Sequence, residues 1–212
     1  MMKYFVFIFA FIFFQGKVHS DPDPKATKWL KKVEKVYNSF SSLKIDLSIE
    51  TKPAEQKAHF QTGTFIYQDK AFSLVLPDQE VYFDGLTQYT YFKERKEVQI
   101  TSSTDENAVY HPKFFARLYK SGKYDYRLDS EDSKTLTVEF IPVDKKESFF
   151  KIKIRIRKAD TQMIQIQIYE RNGDKIIINN KKIIANTPIQ AKNFSMDPLR
   201  LKGLHVEDLR DE

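Results

Sequence analysis

Few side chains in this chain could do chemistry, and they are scattered. Beyond the first 20 residues the histidines are His59, His111 and His205, and no two of them stand at a metal-ligand spacing. Cysteine is absent, which removes thiolate nucleophiles, thiolate metal sites, disulfides and any lipid-bearing cysteine. There is no Gly-x-Ser-x-Gly elbow and no phosphate-cradling glycine pattern, and six glycines leave little room for such loops. The acids are dispersed on polar faces, so the carboxylate pair of an exported hydrolase would have to be assembled in three dimensions. No enzymatic activity, metal or cofactor is expected. The segment Lys151-Ile152-Lys153-Ile154-Arg155-Ile156-Arg157 sets four cations on one face of a strand and three isoleucines on the other. It reads as a solvated strand face, or functionally as a docking strip for an acidic partner or anionic headgroups.

Binding by burial is the chemistry that remains, and it needs an exported, folded frame. Residues 1 to 20, MMKYFVFIFAFIFFQGKVHS, have a charged start at Lys3, an apolar stretch from Tyr4 to Phe14, and Val18 and Ser20 at cleavage positions. That is the pattern of a secretory signal cut after Ser20. The apolar stretch is too short to cross a hydrocarbon core of about 30 Å as a helix. Residues 21–212 are then expected to form a single domain with a real core. The whole chain carries 35 Lys plus Arg against 29 Asp plus Glu, a surplus that falls further when Lys3 and Lys17 leave with the signal. So mild a surplus, without a recognisable module, excludes a nucleic-acid partner.

Periodicity supplies the elements. Ala26, Trp29, Leu30, Val33, Val36, Tyr37 and Phe40 share one face of a helix, and Pro24 suits its first turn. From Leu43 the period becomes two, with Leu43, Ile45, Leu47 and Ile49 alternating with polar residues. Further strands are predicted at 60–67, 71–76, 81–83, 86–92 and 98–100, then at 124–128, 136–141, 150–157, 163–169 and 176–180. Asp84-Gly85 and Asn172-Gly173 supply hairpin turns. Between the two series, residues 111–120 form a short aromatic helical plug carrying Phe114, Phe115, Leu118 and Tyr119. The fold class is mainly β with a helical lid, an unclosed antiparallel half-barrel of about eleven strands.

The order helix, strands, short helix, strands meets specific residues at Tyr37 to Leu47 (YNSFSSLKIDL), Glu80 to Tyr91 (EVYFDGLTQYTY), Arg95 to Ile100 (RKEVQI) and Phe194 to Arg210 (FSMDPLRLKGLHVEDLR). There the chain resembles the periplasmic lipoprotein carrier family LolA, in the divergent form seen in Bacteroidetes-like Gram-negative bacteria. The resemblance implies a periplasmic carrier, expected to be monomeric, that shelters the acyl chains of lipoproteins in an apolar cavity. Its partners would be acylated lipoproteins, an ATP-driven lipoprotein-releasing complex of the inner membrane and, in some lineages, an outer-membrane receptor. Many family members carry an Arg-Pro pair that latches the lid. This chain has Gln68-Asp69-Lys70 there, so the latch has no assigned residue, whereas Phe72 matches the family's aromatic at the next strand.

The candidate lipid-binding residues follow from the apolar strand faces: Leu43, Ile45, Leu47, Phe72, Leu74, Val81, Phe83, Ile152, Ile154, Ile164 and Ile166. The lid adds Trp29, Leu30, Phe114, Phe115 and Leu118. The same alternation builds an ordinary dry core, which is the competing role for each of them. A second class of function is a periplasmic sensor domain that binds a lipoprotein or misfolded-protein signal; such sensors usually carry a further domain, and the single-domain length favours the carrier.

Overall fold

The first apolar stripe forms α1 (Pro24–Asn38). Asp23 starts it, its Oδ1 accepting from the Lys25 N–H at 2.8 Å and the Ala26 N–H at 3.1 Å, with Pro24 in the first turn where a missing N–H costs nothing. Ala26, Leu30, Val33 and Tyr37 form its buried face. The coordinates are a computed structural model and describe residues 21–102 and 111–210. The expected signal at residues 1–20 lies outside the described residues.

Six strands follow: β1 (Ser42–Lys52), β2 (His59–Gln68), β3 (Ala71–Val75), β4 (Gln79–Phe83), β5 (Thr87–Phe92) and β6 (Glu97–Ser102). The plug is α2 (Pro112–Arg117) running into a 3-10 turn over Leu118–Lys120. Then come β7 (Tyr124–Glu131), β8 (Thr135–Pro142), β9 (Phe149–Arg157), β10 (Gln162–Glu170) and β11 (Lys175–Ala185), and finally β12 (His205–Asp208). All lie in one sheet of order β12-β6-β5-β4-β3-β2-β1-β11-β10-β9-β8-β7, whose two end strands do not meet. The eleven expected strands are present and a twelfth is added, parallel to β6, where every other pairing is antiparallel. Gly85 and Gly173, with φ of 104° and 93°, make the two expected hairpin turns. β11 continues beyond its expected end at Asn180, because a register shift at Asp46/Leu47 lets β1 and β11 keep pairing as far as Leu43 and Ala185.

Leu74 of β3 and Ile152 of β9 line one cavity although five strand spacings separate them, about 24 Å in a flat sheet. The sheet must therefore curl around the helices. The inner face is a single core running from Phe83 of β4 through Phe65, Leu43 and Ile154 to Phe140 of β8, closed by Leu30, Tyr37, Phe115 and Leu118 from the helical side. Towards β6 the apolar side reverses. Val98 and Ile100 of β6, with Tyr82, Tyr89 and Tyr91, pack outward against Met196, Leu201 and Leu204. Residues 186–204 thus cross the outer face as a strap from the end of β11 to the start of β12.

Candidate functional site

The inner face is not filled to the end. Where Ile49 and Thr51 end β1, a cavity of about 550 Å³ opens between the two halves of the sheet. Leu74 and Leu76 wall one side, Phe149, Ile152 and Ile168 the other, Ile176 and Ile178 form part of the floor, and Phe114 and Phe115 of α2 cover it. Polar groups, Gln61, Gln79, Ser148 and Glu170, also line it. Gln61 Nε2 donates to Asp78 Oδ2 at 2.9 Å, while Gln61 Oε1 and Asp78 Oδ1 are buried without a hydrogen-bond partner among the described residues. Buried acceptors without donors are costly, so a polar group entering here is favoured if it brings an N–H or O–H.

Of the residues selected from sequence, Leu74, Phe114, Phe115 and Ile152 lie on the cavity wall. Leu30, Leu43, Ile45, Leu47, Phe72, Val81, Phe83, Leu118, Ile154 and Ile166 belong to the packed core beside it. Phe72 is held between Phe65 at 5.9 Å and Phe83 at 5.2 Å, under the His111 ring at 6.0 Å. Trp29 is partly buried on α1, with Lys32 Nζ 4.2 Å from its ring centroid, and does not touch the cavity. Ile164 falls at the β10 irregularity between Met163 and Gln165; the extra residue there breaks the alternation, so Ile164 does not share the inward face of Ile166. Ile49, Leu76, Phe149, Ile168, Ile176 and Ile178 were passed over. For all but Phe149 the signal is present, since each continues a selected inward series or begins one at a strand end; Phe149 is out of step with Ile152 and reaches the cavity through the irregularity opposite Tyr169 and Glu170.

The lid is latched without the family's arginine. Glu34 of α1 accepts from Tyr119 Oη at 2.5 Å and from Lys120 Nζ at 2.6 Å, tying α1 to the turn after α2. Burial opposes ionisation of Glu34, but the hydrogen bonds from Lys120 and Tyr119 outweigh it and hold its carboxyl below the ordinary value. Tyr67 Oη donates to the carbonyl of Phe40 at 3.2 Å, and Tyr37 Oη accepts from the Met163 N–H at 3.2 Å. Burial pushes Tyr67 up to about 12 and also raises Tyr37 and Tyr119, so the three phenols keep their protons at neutral pH. His111 caps α2, its Nδ1 accepting from the Lys113 N–H at 3.1 Å. Gln68, where the family pattern has its arginine, serves the outer face instead: its Oε1 accepts from the Ile189 N–H at 3.0 Å.

The β9 cations point outward and are neutralised within the sheet. Lys153 meets Asp129 at 2.7 Å and Glu139 at 3.6 Å, Lys151 meets Glu139 at 3.8 Å, Arg155 meets Asp132 at 3.8 Å, and Arg157 meets Asp160 at 2.7 Å. Arg127 adds a fifth cation, 2.8 Å from Glu139. This is the solvated, self-paired face of the plain reading.

An open antiparallel half-barrel whose concavity is covered by a helical lid defines the fold class. Family models give no match, and no curated protein matches. Among solved structures the chain is similar to an uncharacterized conserved protein from Thermus thermophilus, at 12% identity and a TM-score of 0.57 over 87% of this chain and 99% of that one. It is also similar to a DUF1329 family protein from Desulfovibrio piger (12% identity, TM-score 0.47, 83% of this chain and 98% of that one) and to a LolA superfamily protein from Nitrosomonas europaea (11% identity, TM-score 0.42, 81% and 97%). At 12% identity the likeness to the first of these is one of fold.

Proposed function

We propose that the concave cavity shelters acyl chains of lipoproteins and that the protein, freed of its signal after Ser20, carries lipoproteins through the periplasm from the inner to the outer membrane. The observation that carries this reading is the apolar cavity of about 550 Å³ under Phe114 and Phe115. Its volume lies in the range of small-molecule sites, and its lining is aliphatic and aromatic apart from a few polar groups. Burying one acyl chain of about 15 methylenes is worth about 12 kcal/mol. Full shelter of three would exceed the roughly 18 to 21 kcal/mol at which non-covalent affinities saturate. A cavity this small holds part of a multiply acylated anchor, which leaves the cargo able to depart. Handover then requires direct docking with a donor, the inner-membrane lipoprotein-releasing complex, and with an acceptor at the outer membrane. The acylated N-terminus of a lipoprotein also brings amide N–H donors, which suit the unpaired acceptor on Gln61.

Trp29 is the only tryptophan and rides on the lid helix, so its emission reports lid displacement. Titration with a diacylated lipopeptide should shift that emission saturably, and the same peptide without acyl chains should leave it unchanged. Equal responses to both would end the cavity reading. Saturable binding without transfer of the lipopeptide to acceptor membranes, in the presence of the donor complex, would place the protein with periplasmic sensors instead of carriers.

A further inference from the structure

The irregularity that turns Phe149 into the cavity has a second product on the other face of the sheet. Tyr169 of β10 pairs with Lys151 and Glu170 with Phe149, so Phe150 is an extra residue in β9 and two neighbouring rings leave the strand on opposite sides. Phe149 lines the cavity, whereas Phe150 is 41% exposed, its ring 6.1 Å from that of Tyr169. Lys151 Nζ lies 4.6 Å from the Tyr169 ring centroid and 5.6 Å from that of Phe150, and Lys175 Nζ reaches the Tyr169 ring from β11 at 4.7 Å. Lys52 of β1 stands opposite Lys175. Ile141 of β8, also exposed, follows Phe140, the partner of Ile152. Five adjacent strands, β8 to β11 and β1, thus share one outward lip, and their inward neighbours Phe149, Ile152, Glu170 and Ile176 line the cavity.

The lip carries a surplus of positive charge. Glu139 is 3.8 Å from Lys151, but it is shared with Arg127 at 2.8 Å and Lys153 at 3.6 Å. Lys52 meets Glu50 at 2.9 Å, and Lys175 has no carboxylate within ion-pair distance among the described residues. The two turns beside the lip, 143–148 and 171–174, are balanced, with Lys145, Lys146 and Arg171 against Asp144, Glu147 and Asp174. The unmatched cations therefore sit on the aromatic rings themselves. Exposed rings bordered by lysines have the make-up of an anchor at the headgroup level of a bilayer, where a ring enters the acyl boundary and a long lysine stem keeps its ammonium among the phosphates. Interfaces between proteins are instead depleted in lysine.

We infer that this lip docks on anionic lipid bilayers through Phe150, Tyr169, Lys151 and Lys175, setting the cavity against the headgroups. The docking goes beyond acyl-chain shelter, and its use in handover rests on the carrier reading. Co-sedimentation with vesicles of phosphatidylglycerol and phosphatidylethanolamine should show saturable binding of the purified protein, and vesicles of phosphatidylcholine alone should bind it more weakly. Lys151→Gln with Lys175→Gln should weaken binding about thirtyfold through lost attraction to the anionic surface. Lys28→Gln with Lys31→Gln, which removes the same charge from the exposed side of α1, should weaken it far less, because salt screens charges held away from the surface. In protein carrying Trp29→Phe and Phe150→Trp the one indole lies on the lip, and its emission should shift to the blue on anionic vesicles. Equal losses in the two lysine pairs, equal affinity for the two kinds of vesicle, or an indole that stays in water overturns the lip. Binding to neither kind of vesicle also overturns it and leaves the lip to a protein partner. The lysine variant of the lip should keep the parent's Trp29 response to diacylated lipopeptide. Vesicle binding without any lipopeptide response ends the carrier reading and leaves the docking in place; a lipopeptide response without vesicle binding removes the docking alone.

Discussion

On its inner side the sheet is covered by α1 and α2, whose buried residues belong to one core with strands from β4 round to β7. On its outer side the strap crosses from β11 towards β6 and packs on only a small cluster, centred on Val98, Ile100 and Met196. The first covering is joined to the sheet chiefly by packing of large side chains, reinforced by Tyr37, Tyr67 and Glu34. The second depends on a few polar anchors: Gln68 at Ile189, Ser42 Oγ on the Thr187 carbonyl, and Glu80 holding Arg200. The difference teaches where mobility can reside. Free energies of local opening range from near zero to the global value, and segments with few buried contacts occupy the low end.

Phe115→Ala should have the largest effect. It empties a ring only 2% exposed between lid and core, and denaturant unfolding should show a loss of about 3–5 kcal/mol. A loss as small as that of a surface substitution would make the lid as peripheral as the strap. Glu80→Ala should come next. Burial opposes its ionisation, yet Arg200, Lys93 at 3.0 Å and Tyr82 at 2.8 Å hold its carboxyl below the ordinary value. Its removal strands those donors, so a cost of about 1–3 kcal/mol is expected, together with faster amide exchange at His205 and Leu209, whose N–H groups bond to Lys96 and Ile100. Exchange that quickens equally in β1 would erase the distinction between the coverings.

The smallest effect concerns the latch. Glu34 is depressed in the folded state, so its contribution is present above the unfolded value of 4.5 and is lost as pH falls through the lower folded value. Stability of the parent should therefore drop more steeply below pH 4.5 than that of Glu34→Gln, and near pH 7 the variant should be weaker by about 1 kcal/mol. Parallel pH profiles would remove Glu34 from the latch.

Legibility from sequence followed the same division. The stripe Ala26, Leu30, Val33, Tyr37 and the alternation Leu43, Ile45, Leu47 name their buried faces directly, because side-chain direction repeats every 3.6 or two residues. Ile164 shows where that logic fails: one inserted residue reverses a face, and nothing local announces it. The cavity wall could not be separated from the core, since Ile152 on the wall and Ile154 in the core have the same type, strand and direction. The latch was hidden for another reason. Glu34 and Tyr119 are 85 positions apart, and no period links them. Residues 186–204 have no regular alternation at all, so the strap was not legible.

The added parallel strand changes what the open sheet offers to other chains. A sheet that does not close has two edges, each a row of unpaired N–H and C=O groups that invites strand addition and aggregation. At one end β12 caps β6 with a four-residue strand carrying Glu207 and Asp208, too short and too acidic to serve as a template. At the other end, β7 is broken by the register shift after Leu128, and Asp23 Oδ2 takes the Leu128 N–H at 2.9 Å. Both rims are thus blunted by different means. The half-barrel can leave its concavity open to solvent without also presenting a long edge on which a second chain could extend the sheet.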